Sequence, residues 1–170
     1  MLTTADRLEA ITRSIGLLVA WLTLAMVLVT SLVVALRYLF DTGSIRMQES
    51  ITFMHAAAFM LTAAYTFSVD DHVRVDIFYS LMNARKQALV NLIGTWLLLL
   101  PFCVFLIYCS WDFVSFSWSV RETSQEAGGL PFPFPALMKG FIPFGAGLLV
   151  IQGIANTLRA IATLTDTEYN

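Results

Sequence analysis

The sequence predicts an all-α integral membrane protein, with four transmembrane helices and short amphipathic helices lying at the interface. Three observations carry this. Of 170 residues, 58% are hydrophobic and 13% are charged, where a soluble domain carries roughly 25% charge. Mean hydropathy is +0.74. The apolar residues gather into four runs, and roughly 20 residues of helix cross a hydrocarbon core about 30 Å thick. Membrane lipid is therefore the medium of most of the surface. A net charge of −2 gives no basic footprint and disfavours nucleic acid as a partner.

Residues 3–14 read as a short interfacial helix, with Thr3 and Asp6 at its start and Leu8, Ile11 and Ile15 on one side. The first span, 15–36, carries no charge and closes on Arg37 and Tyr38, a cation and an aromatic suited to the headgroup layer. Arg7 and Arg13 precede this span as in a signal peptide, but it is too long and lacks a small-x-small cleavage site, so it reads as a retained anchor. A short polar loop carrying Glu49 leads to the second span, 51–69, which ends abruptly in Asp70, Asp71, His72, Arg74 and Asp76. There the period changes: Val73, Ile77 and Leu81 share a helical face, so 71–86 is predicted to lie along the membrane.

The third apolar stretch runs from Ala88 to Val120 with Asp112 as its sole charge. One straight helix of that length is roughly 50 Å long, so it must tilt, break near Pro101, or protrude. The favoured reading is a span over 88–108, with the aromatic end from Trp111 to Trp118 at the interface. Between Arg121 and Lys139, Gly128, Gly129, Pro131, Pro133 and Pro135 predict a stiff, extended loop. The fourth span, 141–158, is expected to hold Pro143 in its first turn and Gly145, Gly147 and Gly153 as points of close approach.

Four spans place both termini on one side. Arg7, Arg13, Arg74, Arg85, Lys86 and Arg159 fall there, against Arg37, Arg46, Arg121 and Lys139 on the other. That bias predicts cytoplasmic termini. The whole chain forms one multi-pass membrane domain.

Candidate chemistry is thin. His55 and His72 are the only histidines. They stand about 25 Å apart along a helix, too far to grip one haem iron. Cys103 and Cys109 lie in an apolar run without metal-site spacing. The acids around His72 could be a metal cluster, but their alternation with apolar residues reads better as a solvated interfacial helix, or as a surface that docks another membrane subunit. Mid-span Thr23, Thr30, Ser31, Thr62, Thr66 and Gln152 are sparse and mostly able to bond their own helix. No nucleophile with its base, phosphate loop or transport path is evident, so no enzyme activity, cofactor or metal is predicted. Ala56, Ala57, Ala63 and Ala64 form a stripe fit for close helix packing.

Taken in order, several short motifs resemble the small membrane subunit, or Q subunit, of tripartite ATP-independent periplasmic (TRAP) transporters. They are Arg37-Tyr38-Leu39-Phe40 closing the first span, Glu49 opening the second, His72-Val73-Arg74-Val75-Asp76 after it, and Pro143-Phe144-Gly145 with Gln152 in the fourth. Met47-Gln48-Glu49 departs from the tryptophan and two acids often found there. The stretch from Glu122 to Phe134, with Gly128-Gly129-Leu130-Pro131, is similar to the mannitol or chloroaromatic branch. The resemblance implies a non-enzymatic scaffold subunit of the inner membrane. Its partners would be a large M subunit holding the substrate and sodium sites and a periplasmic P subunit delivering an organic acid or related solute. On that view the alanine stripe with His72, Arg74 and Asp76 contacts the large subunit. Arg37, Arg46, Glu49, Arg121 and Glu122 receive the binding protein. The alternatives are a haem- or quinone-associated anchor of a redox complex, which a visible spectrum would reveal, and a self-assembled channel.

Overall fold

The computed structural model describes residues 2–69, 79 and 81–166. Its order is α1 (Leu2–Phe40), α2 (Ile45–Ser68), α3 (Ala84–Gly94), a π-helical turn (Thr95–Leu99), α4 (Leu100–Ser119) and α5 (Phe134–Asp166). α3, the π-turn and α4 are one continuous rod, so the described residues include four helices long and apolar enough to cross a membrane. In lipid a helix satisfies its own backbone, and this makes long apolar runs helical here.

α1 runs through Ser14 without a break. The reason is its inward seam: Ala5, Thr12 and Val19 are buried and Met26 packs on the same core, a seven-residue repeat that passes straight from segment 3–14 into the first span. At 39 residues the helix is about 58 Å long, well beyond a bilayer core. Gly16 lets it meet α2 closely, since an added Cβ would sit 2.7 Å from Tyr65 Cγ.

α5 is the hub, packing against all the other helices, with α1 and α2 paired on one flank and the α3–α4 rod on another. The core is made of small groups: Ala57, Ala58, Leu61 and Ala64 of α2 meet Val19 of α1 and Leu148 of α5. Without a hydrophobic drive between helices in lipid, such close backbone contact supplies the packing. Gly145 and Gly153 are points of close approach on α5. A Cβ at Gly145 would lie 2.7 Å from the Met60 carbonyl oxygen, and one at Gly153 would lie 3.2 Å from Thr95 Cγ2, while the space around Gly147 is open.

Two sequence expectations shift. Near Pro101 the rod bulges instead of breaking, with the Leu100 N–H bonding Thr95 O in the wider π register. α5 begins at Phe134, so the extended loop ends at Pro133 and is shorter than the predicted 121–139. Pro135 falls in the first turn, where its missing N–H costs nothing, and Pro143 lies inside the helix. Most of the predicted interfacial segment 71–86, with its His72, Arg74 and Asp76, lies outside the described residues. Its end carries a firm signal: Asn83 caps α3 by accepting the Lys86 N–H at 3.1 Å.

Candidate functional site

The polar order of the described residues concentrates at the two ends of the bundle. At one end lies the loop between α4 and α5. α4 closes in a Schellman arrangement: the Glu122 N–H bonds Ser117 O at 3.0 Å and the Arg121 N–H bonds Trp118 O at 3.3 Å. Arg121 takes φ +49° there, a position that favours glycine. Its side chain is exposed.

Glu122 then turns back onto the helix ends. Its Oε2 accepts the Ser117 hydroxyl at 2.6 Å and the Lys139 ammonium at 2.5 Å, while Lys139 Nζ also stands 4.0 Å over the Phe113 ring. α4, the loop and α5 are thereby tied at one point. The Lys139 bond, with help from Ser117, holds the Glu122 carboxyl below its ordinary range.

A second carboxylate holds the middle of the loop. Glu49, in the first turns of α2, accepts the Ser124 hydroxyl with one oxygen and the Leu130 N–H at 2.6 Å with the other. Ser124 and Leu130 are themselves joined, N–H to carbonyl, at 3.0 Å. Arg46 adds a bond from Nε to Gly129 O at 3.3 Å. Gly129 is required by the fit: a Cβ there would lie 2.6 Å from Glu49 Oε2 and 2.5 Å from Ser124 Cβ. Edge-on aromatic pairs fix the loop's exit, Trp118 with Phe132 at 5.3 Å and Phe53 with Phe134 at 5.5 Å.

At the opposite end Arg159 of α5 pairs with Asp6 at 3.0 Å and with Glu9. About two turns inward along α5, Thr12 donates to Gln152 Oε1 at 2.7 Å and Gln152 donates to Asn156 Oδ1 at 3.0 Å. Thr12 and Gln152 are fully buried.

The residues singled out by sequence thus divide. Glu49 and Glu122 are engaged inside the chain, holding the loop. Arg37 and Arg121 are exposed, and Arg46 is exposed while bonding Gly129. Ala57 and Ala64 are taken up by the chain's own core, leaving Ala56 and Ala63 half-buried. Sequence reasoning missed Ser117, Ser124 and Lys139 as carboxylate partners, and Thr12 as the partner of Gln152. The signal for the loop node was present in Glu49 and the Gly128-Gly129 pair, but nothing local joined them.

What the arrangement does chemically is structural: it presents an ordered loop and exposed arginines at one end of an apolar bundle. Comparison with known proteins adds one finding. A family model described as "Tripartite ATP-independent periplasmic transporters, DctQ component" matches residues 26–163. No curated protein matches the chain.

Proposed function

Because the chain belongs to the DctQ component family of tripartite ATP-independent periplasmic transporters, we propose that it is the small scaffold subunit of such a transporter, a multi-pass inner-membrane protein. It braces the large, substrate-carrying subunit and helps to receive the periplasmic binding protein during ion-coupled uptake of an organic acid or related solute. Both termini then face the cytoplasm and the 120–133 loop faces the periplasm, in keeping with the excess of Lys and Arg on the terminal side.

The observation that carries this reading is the stitched loop. Glu49 and Glu122 fasten it to α2, α4 and α5, so that Arg121 and its neighbours stand at fixed positions. A docking platform that is already ordered loses less entropy when a partner arrives. Arg37, Arg46 and Arg121 are the residues offered to the binding protein, while Glu49 and Glu122 act through the loop's shape. Ala56 and Ala63, with the segment carrying His72, Arg74 and Asp76, are offered to the large subunit.

Affinity purification of the tagged chain from mild detergent, followed by mass spectrometry, tests the reading. A stoichiometric larger membrane protein with some dozen spans is expected to co-elute, and solute uptake is expected to fail in cells lacking this chain and return on re-expression. Recovery with a flavoprotein or a haem absorbance, or recovery of this chain alone, would overturn it.

A further inference from the structure

The π-turn deprives two backbone carbonyls of the third span of their usual α-helical donors. Within that turn the Leu100 N–H bonds Thr95 O, so the Trp96 carbonyl loses its usual donor. The next amide along is that of Pro101, which has no hydrogen. The Leu97 carbonyl loses its usual donor to the same proline. Among the described residues no side chain donates to either. The inner side of the turn is sealed, with Thr95 buried against Gly153 of α5. The outer side is open: Leu97 is 70% exposed and Pro101 is exposed as well.

These carbonyls fall near the middle of the 88–108 stretch, where lipid tails offer no hydrogen bonds. Along the same face, at spacings of three and four, follow Phe105, Tyr108 and Asp112, the last two lining a shallow hollow with Val104, Ile107 and Trp111. Asp112 is exposed, and no ion pair engages it among the described residues. One face of one helix therefore carries carbonyls stripped of their usual donors at mid-depth and an exposed anion about 23 Å further along.

We infer that this face of the α3–α4 rod docks a transmembrane helix of another chain, one bearing a hydroxyl or amide donor level with the π-turn and a lysine or arginine level with Asp112. Lipid tails would cover the apolar side chains equally well but would offer those carbonyls no donor, and a second copy of this face would bring another anion to Asp112. The exposed face of α1, apolar and without such acceptors, is left to lipid. The inference rests on the reading of this chain as one subunit of a larger membrane assembly.

Site-specific photo-crosslinking in native membranes tests it, with p-benzoylphenylalanine in place of Phe105 and, as control, in place of Leu28 on α1, which is 63% exposed. The expected result is a protein adduct from position 105, mapped by mass spectrometry to a spanning helix of the large transporter subunit, and only lipid adducts from position 28. Adding D112K is expected to lower the yield at 105 roughly fivefold. An adduct at 105 with a helix of an unrelated membrane protein would support the docking face and overturn the transporter reading. Adducts to the large subunit from 28 alone would keep the transporter reading and overturn this face. Lipid adducts alone at 105, an adduct to a second copy of this chain, or an unchanged yield in D112K would each overturn it.

Discussion

Glu49 on α2 accepts the backbone N–H of Leu130 at 2.6 Å, a contact between residues 81 positions apart. A side chain at the start of one helix thus fixes the backbone of the loop that precedes another. Substituting Glu49→Ala removes the acceptor for both Leu130 and Ser124. Hydrogen exchange of the 122–133 amides should then quicken by about tenfold or more, while the α5 core stays protected. Unchanged exchange would mean that the loop is ordered without Glu49.

Gly129 gives an independent test of the same node. With a Cβ at 2.6 Å from Glu49 Oε2 and 2.5 Å from Ser124 Cβ, Gly129→Ala must push the loop off the carboxylate, and overpacking of this kind costs about 1–3 kcal/mol. In the Glu49→Ala background that clash is partly relieved, so the two effects should fall short of additive. Thermal or denaturant unfolding in detergent of the four-member cycle checks this, and strict additivity would argue against a shared node.

Glu122 makes stability depend on pH. Its carboxyl titrates below the ordinary range because of Lys139 and Ser117. Its contribution is thus complete above the unfolded carboxylate value near about 4.3 and is lost as pH falls through the lower folded value. The melting temperature should drop between about pH 5 and the folded value, and Glu122→Gln should flatten that drop. A wild-type profile identical to that of the variant would show the bond to be without thermodynamic effect.

The membrane class and the four spans were legible because lipid leaves a long apolar run little choice but helix. Mid-span hydroxyls also behave as the sequence implied: Thr23 bonds Ala20 O at 2.6 Å and Ser31 bonds Val27 O at 2.8 Å. What could not be read were pairings between distant elements. Glu49 stood out at the head of α2, yet its partner is a backbone amide, which leaves no mark in a sequence. The prolines misplaced the start of α5 because Pro135 reads alike as a loop residue or as the first turn of a helix; only packing decides between them.

Arg121 separates a structural role from a docking one. It holds φ +49°, a left-handed conformation that costs a residue with a Cβ about 1–2 kcal/mol relative to glycine. Arg121→Gly should therefore raise the stability of the purified chain by about 1 kcal/mol. If the guanidinium also receives the binding protein, the more stable variant should show weaker docking at low salt, and stability and docking would move in opposite directions. Unchanged docking would remove Arg121 from the proposed surface.

Among the mid-span polar residues singled out by sequence, Gln152 makes a bond that leaves its own helix, and it does so at a fully buried position. Its Oε1 accepts the Thr12 hydroxyl at 2.7 Å, and its amide reaches Asn156 Oδ1 at 3.0 Å. Hydrogen bonds between membrane helices are worth about 0.6 kcal/mol on average and up to about 1.7. A buried, doubly bonded amide belongs near the upper figure. Gln152→Leu leaves the Thr12 hydroxyl without its cross-helix partner, although that oxygen also reaches Glu9 O at 3.0 Å, which softens the loss. A cycle of Thr12→Val, Gln152→Leu and the double variant should give a coupling of about 1 kcal/mol. Because α1 meets α5 through this pair and through the Arg159 cluster, the same substitution should loosen α1 first. Proteolysis or exchange in residues 2–12 would then rise before the α2–α5 core responds, and simultaneous loss of both would show α1 to be held elsewhere.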